Sequence, residues 1–300
     1  MEATSDPVDL VIESRKSDIG GFTVRRTLPF AKRRTVGPFI FFDHMGPALM
    51  PAGQSMDVLP HPHIGLATVT YLFEGEIVHR DSLGSQQAIR PGAINWMVAG
   101  KGIVHSERTD PEIKKTGQTI HGIQLWVALP KELEDCDPAF LHYDASEIPE
   151  SSIPLNTPGE GTIRLMIGNA LGMQSPVQTF LKTLYAEVRL PGGSAWTLPS
   201  LAEEQAMYLA SGTAKLVGSA SAGTLQEGQM AVLKSGASLD IQAESDLRML
   251  IIGGENPGPR KIYWNFVHSN PAKIEEAKIR WENQKFPSVP GETEFVPLPQ

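Results

Sequence analysis

The sequence predicts an all-β protein made of two similar domains in tandem. Three observations carry that expectation. Apolar residues alternate with a period of two along much of the chain. Glycine and proline, 28 and 24 residues, are spread through it. A strand–turn–strand pattern in the first half is echoed in the second. Alternation puts every second side chain on one face of a strand, and frequent Gly and Pro favour many short strands joined by turns. At 300 residues, the chain is also longer than one hydrophobic core usually serves.

The run FTVRRTL, Phe22 to Leu28, opens the strand series. ATVTYLFEG, Ala67 to Gly75, sets threonines against Val69, Tyr71 and Phe73. EIVHRDSLG follows a Glu-Gly turn, AIRPGAINWMV holds a Pro91-Gly92 turn between two apolar segments, and GIQLWVALP, Gly122 to Pro130, is a further strand. Closely spaced strands with such turns indicate an antiparallel barrel or sandwich. The charged, proline-bounded stretch PKELEDCDPAFLHYDASEIPE breaks the pattern and reads as a connector. The expected division is therefore 1–135, a connector over 136–150, and 151–300.

Strands resume in TIRLMIG, KTLYAEVRLPGGSAWTL, QAMYLASGTAKLVG, TLQEGQMAVLKSG and SLDIQAESDLRMLIIGG, joined by Gly-Gly, Ser-Gly and Glu-Gly turns. A short helix is expected near the end. Asn270 can cap it, Pro271 suits its first position, and Ile274, Ala277 and Trp281 share a face. Glu276 and Arg280 are spaced as an i,i+4 pair.

Composition narrows the function. With 41% hydrophobic and 20% charged residues the chain is an ordinary globular one. A net charge of -8 argues against binding phosphate backbones, which takes clustered Lys and Arg. The basic run Arg25–Arg34 reads first as a solvated edge. One cysteine, Cys136, excludes a disulfide framework and a cysteine-based zinc module and fits a reducing cytosol. Its acidic neighbours disfavour a reactive thiolate. Neither an export signal nor a membrane span is expected, because no basic-then-apolar leader and no long apolar run occurs.

Chemistry concentrates in two tripeptides. HPH places His61 and His63 on one face of a strand, and HSE, beginning 42 residues after His63, does the same for His105 and Glu107. Pro62 suits a strand start or edge. If the two strands are neighbours, three imidazoles and a carboxylate surround one point. That donor set suits a divalent first-row metal such as Fe(II), Mn or Zn with positions left for substrate. Ordinary polar edge residues are the other reading of such tripeptides. Of the remaining histidines, His79 reads as orienting a loop, His121 as backing a ligand, and His44 as a turn residue; His142 and His268 suggest no chemistry. Dinucleotide, phosphate-loop and serine-nucleophile motifs are absent from the sequence.

The segments GGFTVRRTLP…VGPFIFFDHMGP, HPHIGLATVTYLFEGEIVHRDSLGS, IRPGAINWMVAGKGIVHSE and HGIQLWVALP, with the tail YWNFVHSNPAKIEEAKIRWENQKFPSVPGETEFVPLP, closely resemble the pirin family of the cupin superfamily. The resemblance spans Lys16 to Leu298. It implies a bicupin, two jelly-roll-type β-barrels with a short C-terminal helix, the first carrying one iron-type divalent metal on His61, His63, His105 and Glu107. Fe(II) is the expected ion, with Mn, Zn, Co, Ni or Cu as alternatives. Pirins often read HPHRGFET here, so Ile64 stands for an arginine and Ala67 for a glutamate, which leaves Glu107 as the site's carboxylate. Between His142 and His268 there is no histidine to repeat the site.

Some bacterial pirins resemble quercetin 2,3-dioxygenases, which open a flavonol with O2 and release carbon monoxide. By that resemblance the partners are a flavonol and O2, with Glu107 as general base, and Phe41, Phe42, Trp96 and Met97 are candidate walls. The alternative implied by other pirins is a metal-dependent regulator that binds a transcription factor or metabolic enzyme, the Arg25–Arg34 run being its natural contact. A cytoplasmic location with no membrane and no direct nucleic-acid contact is expected in either case.

Overall fold

A computed structural model of the chain describes residues 6–19 and 22–299. Residues 1–5, part of the stretch read for a leader, lie outside it. The chain is mostly β and forms two compact units that interleave along the sequence. One comprises Met1–Arg15, Arg25–Phe41 and Ser146–Asn256, the other Lys16–Val24, Phe42–Ala145 and Pro257–Gln300. The strand Val8–Glu13 pairs antiparallel with Gln229–Leu233 of the later half, where it occupies a sheet edge that would otherwise offer unpaired backbone groups. The C-terminal segment joins the unit that bears the histidines.

The unit containing Ser146–Asn256 has a seven-stranded sheet in the order Val8–Glu13, Gln229–Leu233, Glu204–Ser211, Leu247–Gly254, Thr183–Leu190, Glu160–Ile167, Glu150–Pro154. Its four-stranded sheet runs Ala195–Leu198, Leu239–Ala243, Thr213–Val217, Thr224–Gln226. One apolar cluster includes Leu165, Val188, Trp196, Met207, Leu216 and Ile241. That interior is packed with hydrocarbon and carries no histidine. Two of the five cations of the basic run are ion-paired, Arg25 with Glu227 at 2.6 Å and Arg33 with Glu204 at 3.2 Å.

The histidine-bearing unit has the same plan. Val58–His63, Ile103–Arg108, Ile77–Asp81 and Gln86–Ile89 form its four-stranded sheet in that order. The seven-stranded sheet runs Ala139–Tyr143, Ile94–Val98, Leu66–Glu74, Gln118–Ala128, Phe39–Met50, Thr23–Leu28, Arg15–Asp18. The sheets remain separate ladders, a jelly-roll sandwich in place of a continuous ring. The strand Ala139–Tyr143 lies within the stretch read as connector; its alternation is masked by the surrounding charges and prolines.

The helix Pro271–Glu282 forms as expected. The Asn270 side chain accepts from Ala272 N at 3.0 Å, and Ile274, Ala277 and Trp281 are buried. Such a cap is worth about 1 kcal/mol. Arg280 leaves Glu276 and instead lies 4.2 Å over the Phe286 ring while donating to Lys101 O. A second helix, Pro111–Thr116, has no counterpart in the sequence reading.

The C-terminal segment covers the histidine strands from outside. Ile64 and Val104 form one buried cluster with Phe266, Ile274, Ala277, Trp281 and Phe286, and Ile64 bridges to Phe266. The family's arginine position is thus an apolar contact here. Gly65 is required at this crossing: its φ is +68°, and a Cβ there would stand 1.9 Å from Val267 O. Further along the segment, Glu292 accepts from Ser106 Oγ and Arg108.

Candidate metal centre

Antiparallel pairing sets the site. His105 lies opposite His61 on one side and opposite Asp81 on the other. Against Val58–His63 the register then shifts and sets Glu107 opposite Val58, whereas against Ile77–Asp81 it stays regular and sets Glu107 opposite His79. The edge strand accommodates its two prolines, Pro60 and Pro62, beside that irregularity. Residues directly opposite share a sheet face. One face thereby collects the two tripeptides and also His79 and Asp81.

His61, His63 and His105 each offer a ligand nitrogen, and these atoms lie within 4.8 Å of one another. All three residues are buried. Ring centroids are 4.4–5.0 Å apart. Glu107 lies outside this 4.8 Å group. It lies two residues beyond His105 on the same strand and is half-buried.

Burial makes the charged forms costly. It pushes His61 down to about 4, against the opposing pull of the Leu59 carbonyl, and holds His63 and His105 well below the ordinary histidine value, with the neighbouring imidazoles adding to the effect. The same desolvation pushes Glu107 up to about 7. The triad at neutral pH is therefore three uncharged imidazoles with lone pairs to give. His63 Nδ1 and His105 Nε2 are buried with no hydrogen-bond partner, a condition that costs about 1–3 kcal/mol per group. A divalent cation fits those donors: neutral imidazole is a ligand of first-row metals. The residues that would hold it are His61, His63 and His105.

A row of side chains from the facing sheet covers the triad. Trp126, Thr68, Met97 and Phe140 are in register across four adjacent strands. Trp126 meets His63 edge to face at 5.2 Å, and Phe140 stacks on His79 at 4.2 Å with 9° between planes. Of the walls expected from sequence, Met97 belongs to this row. Trp96 is one residue off it and aligns with Val69, Leu125 and Leu141 on the sheet's other face. Phe42 is fully buried, and Phe41 lies under the Arg26 guanidinium at 4.3 Å.

The minor histidines resolve differently. His79 Nε2 donates to Asp81 Oδ2 at 3.0 Å and its Nδ1 lies 3.4 Å from His105 Nδ1, so it backs a ligand. His121 stands 2.8 Å from His44, Nε2 to Nε2, with the rings stacked. His142 contacts Asn95, and His268 is buried beside Glu134 at 3.1 Å, in a cluster that also ties Arg260 to Glu134. Trp126, Phe140 and His79 are the site neighbours that sequence reading missed as such. Trp126 and Phe140 do sit at alternating positions of apolar runs, which is the one local signal they carry.

Two stacked antiparallel sheets with imidazoles converging between them, together with a second unit of the same plan, define a bicupin with one metal-type centre among the described residues. The chain belongs to the pirin family. The Pirin model matches residues 21–127 and the Pirin C-terminal cupin domain model matches residues 185–287. The sequence is 43% identical over 297 residues to a pirin-like protein of Caulobacter vibrioides, covering 98% of this chain and 100% of the relative. A solved quercetin 2,3-dioxygenase from Acinetobacter baumannii matches with a TM-score of 0.88 at 32% identity, over 100% of this chain and 97% of the other. A bacterial pirin from Escherichia coli, solved in complex with nickel(II), shares the fold with a TM-score of 0.62 at 18% identity, over 82% of this chain and 99% of the other.

Proposed function

We propose that this pirin is a metal-dependent dioxygenase that opens flavonols such as quercetin with O2. The observation that carries the reading is the buried triad of uncharged imidazoles, two of whose nitrogens have no protein partner. The Acinetobacter relative named for this activity supports the substrate class. Fe(II) is the proposed ion, with Mn, Zn, Co, Ni or Cu as substitutes, since imidazole ligation alone does not select among them. The cytosol is the proposed compartment, in keeping with the single cysteine; no described helix is long and apolar enough to cross a membrane.

When bound, the metal supplies Lewis acidity toward the flavonol hydroxyl and a point to anchor it. His61, His63 and His105 hold it. Glu107 adds the carboxylate and, from the same strand face, takes the hydroxyl proton as general base. Trp126, Met97 and Phe140 provide flat apolar surface for a planar ring system, the kind of lining that small-molecule sites use. Regulation of a protein partner through the Arg25–Arg34 run is the weaker reading, because Arg25 and Arg33 are already ion-paired within their own unit.

The test is anaerobic loading with Fe(II), addition of quercetin and air, and following the flavonol absorbance. Absorbance loss that His61→Ala abolishes is expected. A fully loaded protein that leaves quercetin intact overturns the dioxygenase reading.

A further inference from the structure

We propose that Asp81 and His79 form a directional hydrogen-bond relay that fixes the tautomer of His105 and keeps its Nε2 lone pair bare toward the metal. The inference deepens the metal-centre reading and rests on it. His79 Nε2 lies 3.0 Å from Asp81 Oδ2. His79 Nδ1 in turn lies 3.4 Å from His105 Nδ1, at the long end for such a bond. At the far end of the same ring, His105 Nε2 is buried and without a partner.

Asp81 sets the direction. It is fully buried. Its Oδ1 accepts from Leu83 N and Ser85 N while Oδ2 faces His79 Nε2, so both oxygens stand against N–H donors as a carboxylate's do. A carboxylate only accepts. His79 must therefore donate from Nε2, which leaves its Nδ1 as an acceptor. His105 then donates from Nδ1, and the proton is absent from Nε2. Each ring nitrogen in the chain has one assigned role, and the last free lone pair points into the triad. Phe140, stacked on His79, holds the ring plane that this geometry needs. Partners of this kind fix the orientation and basicity of metal-bound histidines elsewhere, and their loss costs about 10–100-fold in metal affinity.

A single isosteric change reverses the relay. Asp81 Oδ1 accepts from Leu83 N at 2.9 Å and Ser85 N at 3.0 Å. In Asp81→Asn those two donors keep the amide oxygen on their side, so the amide NH2 faces His79. His79 Nε2 becomes an acceptor, its Nδ1 a donor, and His105 is left with its proton on Nε2, aimed at the metal. The turn that Asp81 braces is preserved.

Two measurements decide the matter. Nitrogen-15 NMR of the metal-free wild type is expected to show His105 protonated at Nδ1, and protonation at Nε2 overturns the inference without any variant. In Asp81→Asn the proton is expected to move to Nε2, the Co(II) affinity read from its visible band to fall by about 10–100-fold, and the metal-free melting temperature to stay near wild type. Unchanged tautomer and affinity in that variant overturn it. A wild type that takes up no Co(II) sinks the metal-centre reading instead, and the NMR result still judges the relay.

Discussion

Glu107 lies two residues beyond His105 and opposite His79 on the regular ladder to Ile77–Asp81, while the shifted ladder to Val58–His63 sets it opposite Val58. It lies outside the group of three imidazoles, and we assign it a role that the histidines do not have. Glu107→Gln keeps the shape and removes the base. Metal content after loading is expected to persist with affinity reduced about 10-fold, by analogy with loss of one supporting group, while flavonol turnover falls about 10²–10⁴-fold, the usual contribution of a general base. Turnover at the wild-type rate would assign Glu107 no part in proton transfer. The HPH and HSE tripeptides were legible in the sequence because period two is a local rule. That His79 backs His105, and that Trp126 and Phe140 cover the triad, was not legible. Those contacts depend on which strands pair and in what register, information that a tripeptide does not contain.

Among the elements, the C-terminal segment depends on Gly65 and Glu292. An Ala at position 65 would need a left-handed backbone, costing about 1–2 kcal/mol, and its Cβ would overlap Val267 O. Gly65→Ala is expected to lower the denaturant midpoint by more than the backbone term alone. An unchanged midpoint would mean that the crossing is not tight. Glu292 has an acid-sensitive role. Burial opposes its charge, yet bonds from Arg108 and Ser106 hold its carboxyl below the ordinary glutamate value. A depressed folded-state pKa adds stability above the unfolded value, near 4.5, and that stability is lost as pH falls. Glu292→Gln is therefore expected to destabilise at pH 7 and to match wild type increasingly as pH drops below about 4.5, as urea melts at the two pH values would show. Equal effects at both would remove the charge from the explanation. The terminal helix was readable from its Asn-Pro start and buried stripe, whereas the strand Ala139–Tyr143 was hidden in a charged stretch.

At the scale of the whole molecule, two units of one plan differ in what fills them. The unit without histidines closes on hydrocarbon, and the other spends part of its interior on polar groups that a ligand would satisfy. Metal that binds only the folded state should therefore stabilise it. At free ion 100-fold above Kd the gain is about 2.7 kcal/mol, or roughly 5–10 °C in Tm. A melt that EDTA leaves unchanged after confirmed loading would exclude that coupling. All-β class and a doubled pattern were readable from alternation and turns. The interleaving was not, because the strand Val8–Glu13 precedes the first run read as a strand and nothing local in it names its partner, Gln229–Leu233.

That interleaving has a consequence for biosynthesis. As the polypeptide leaves the ribosome, HPH and HSE emerge well before the residues that bury their outer side, since Phe266, Ile274, Trp281 and Phe286 lie more than 150 residues further along the chain. Until those residues are made, these strands stay uncovered, exposed to proteases and to stray cations.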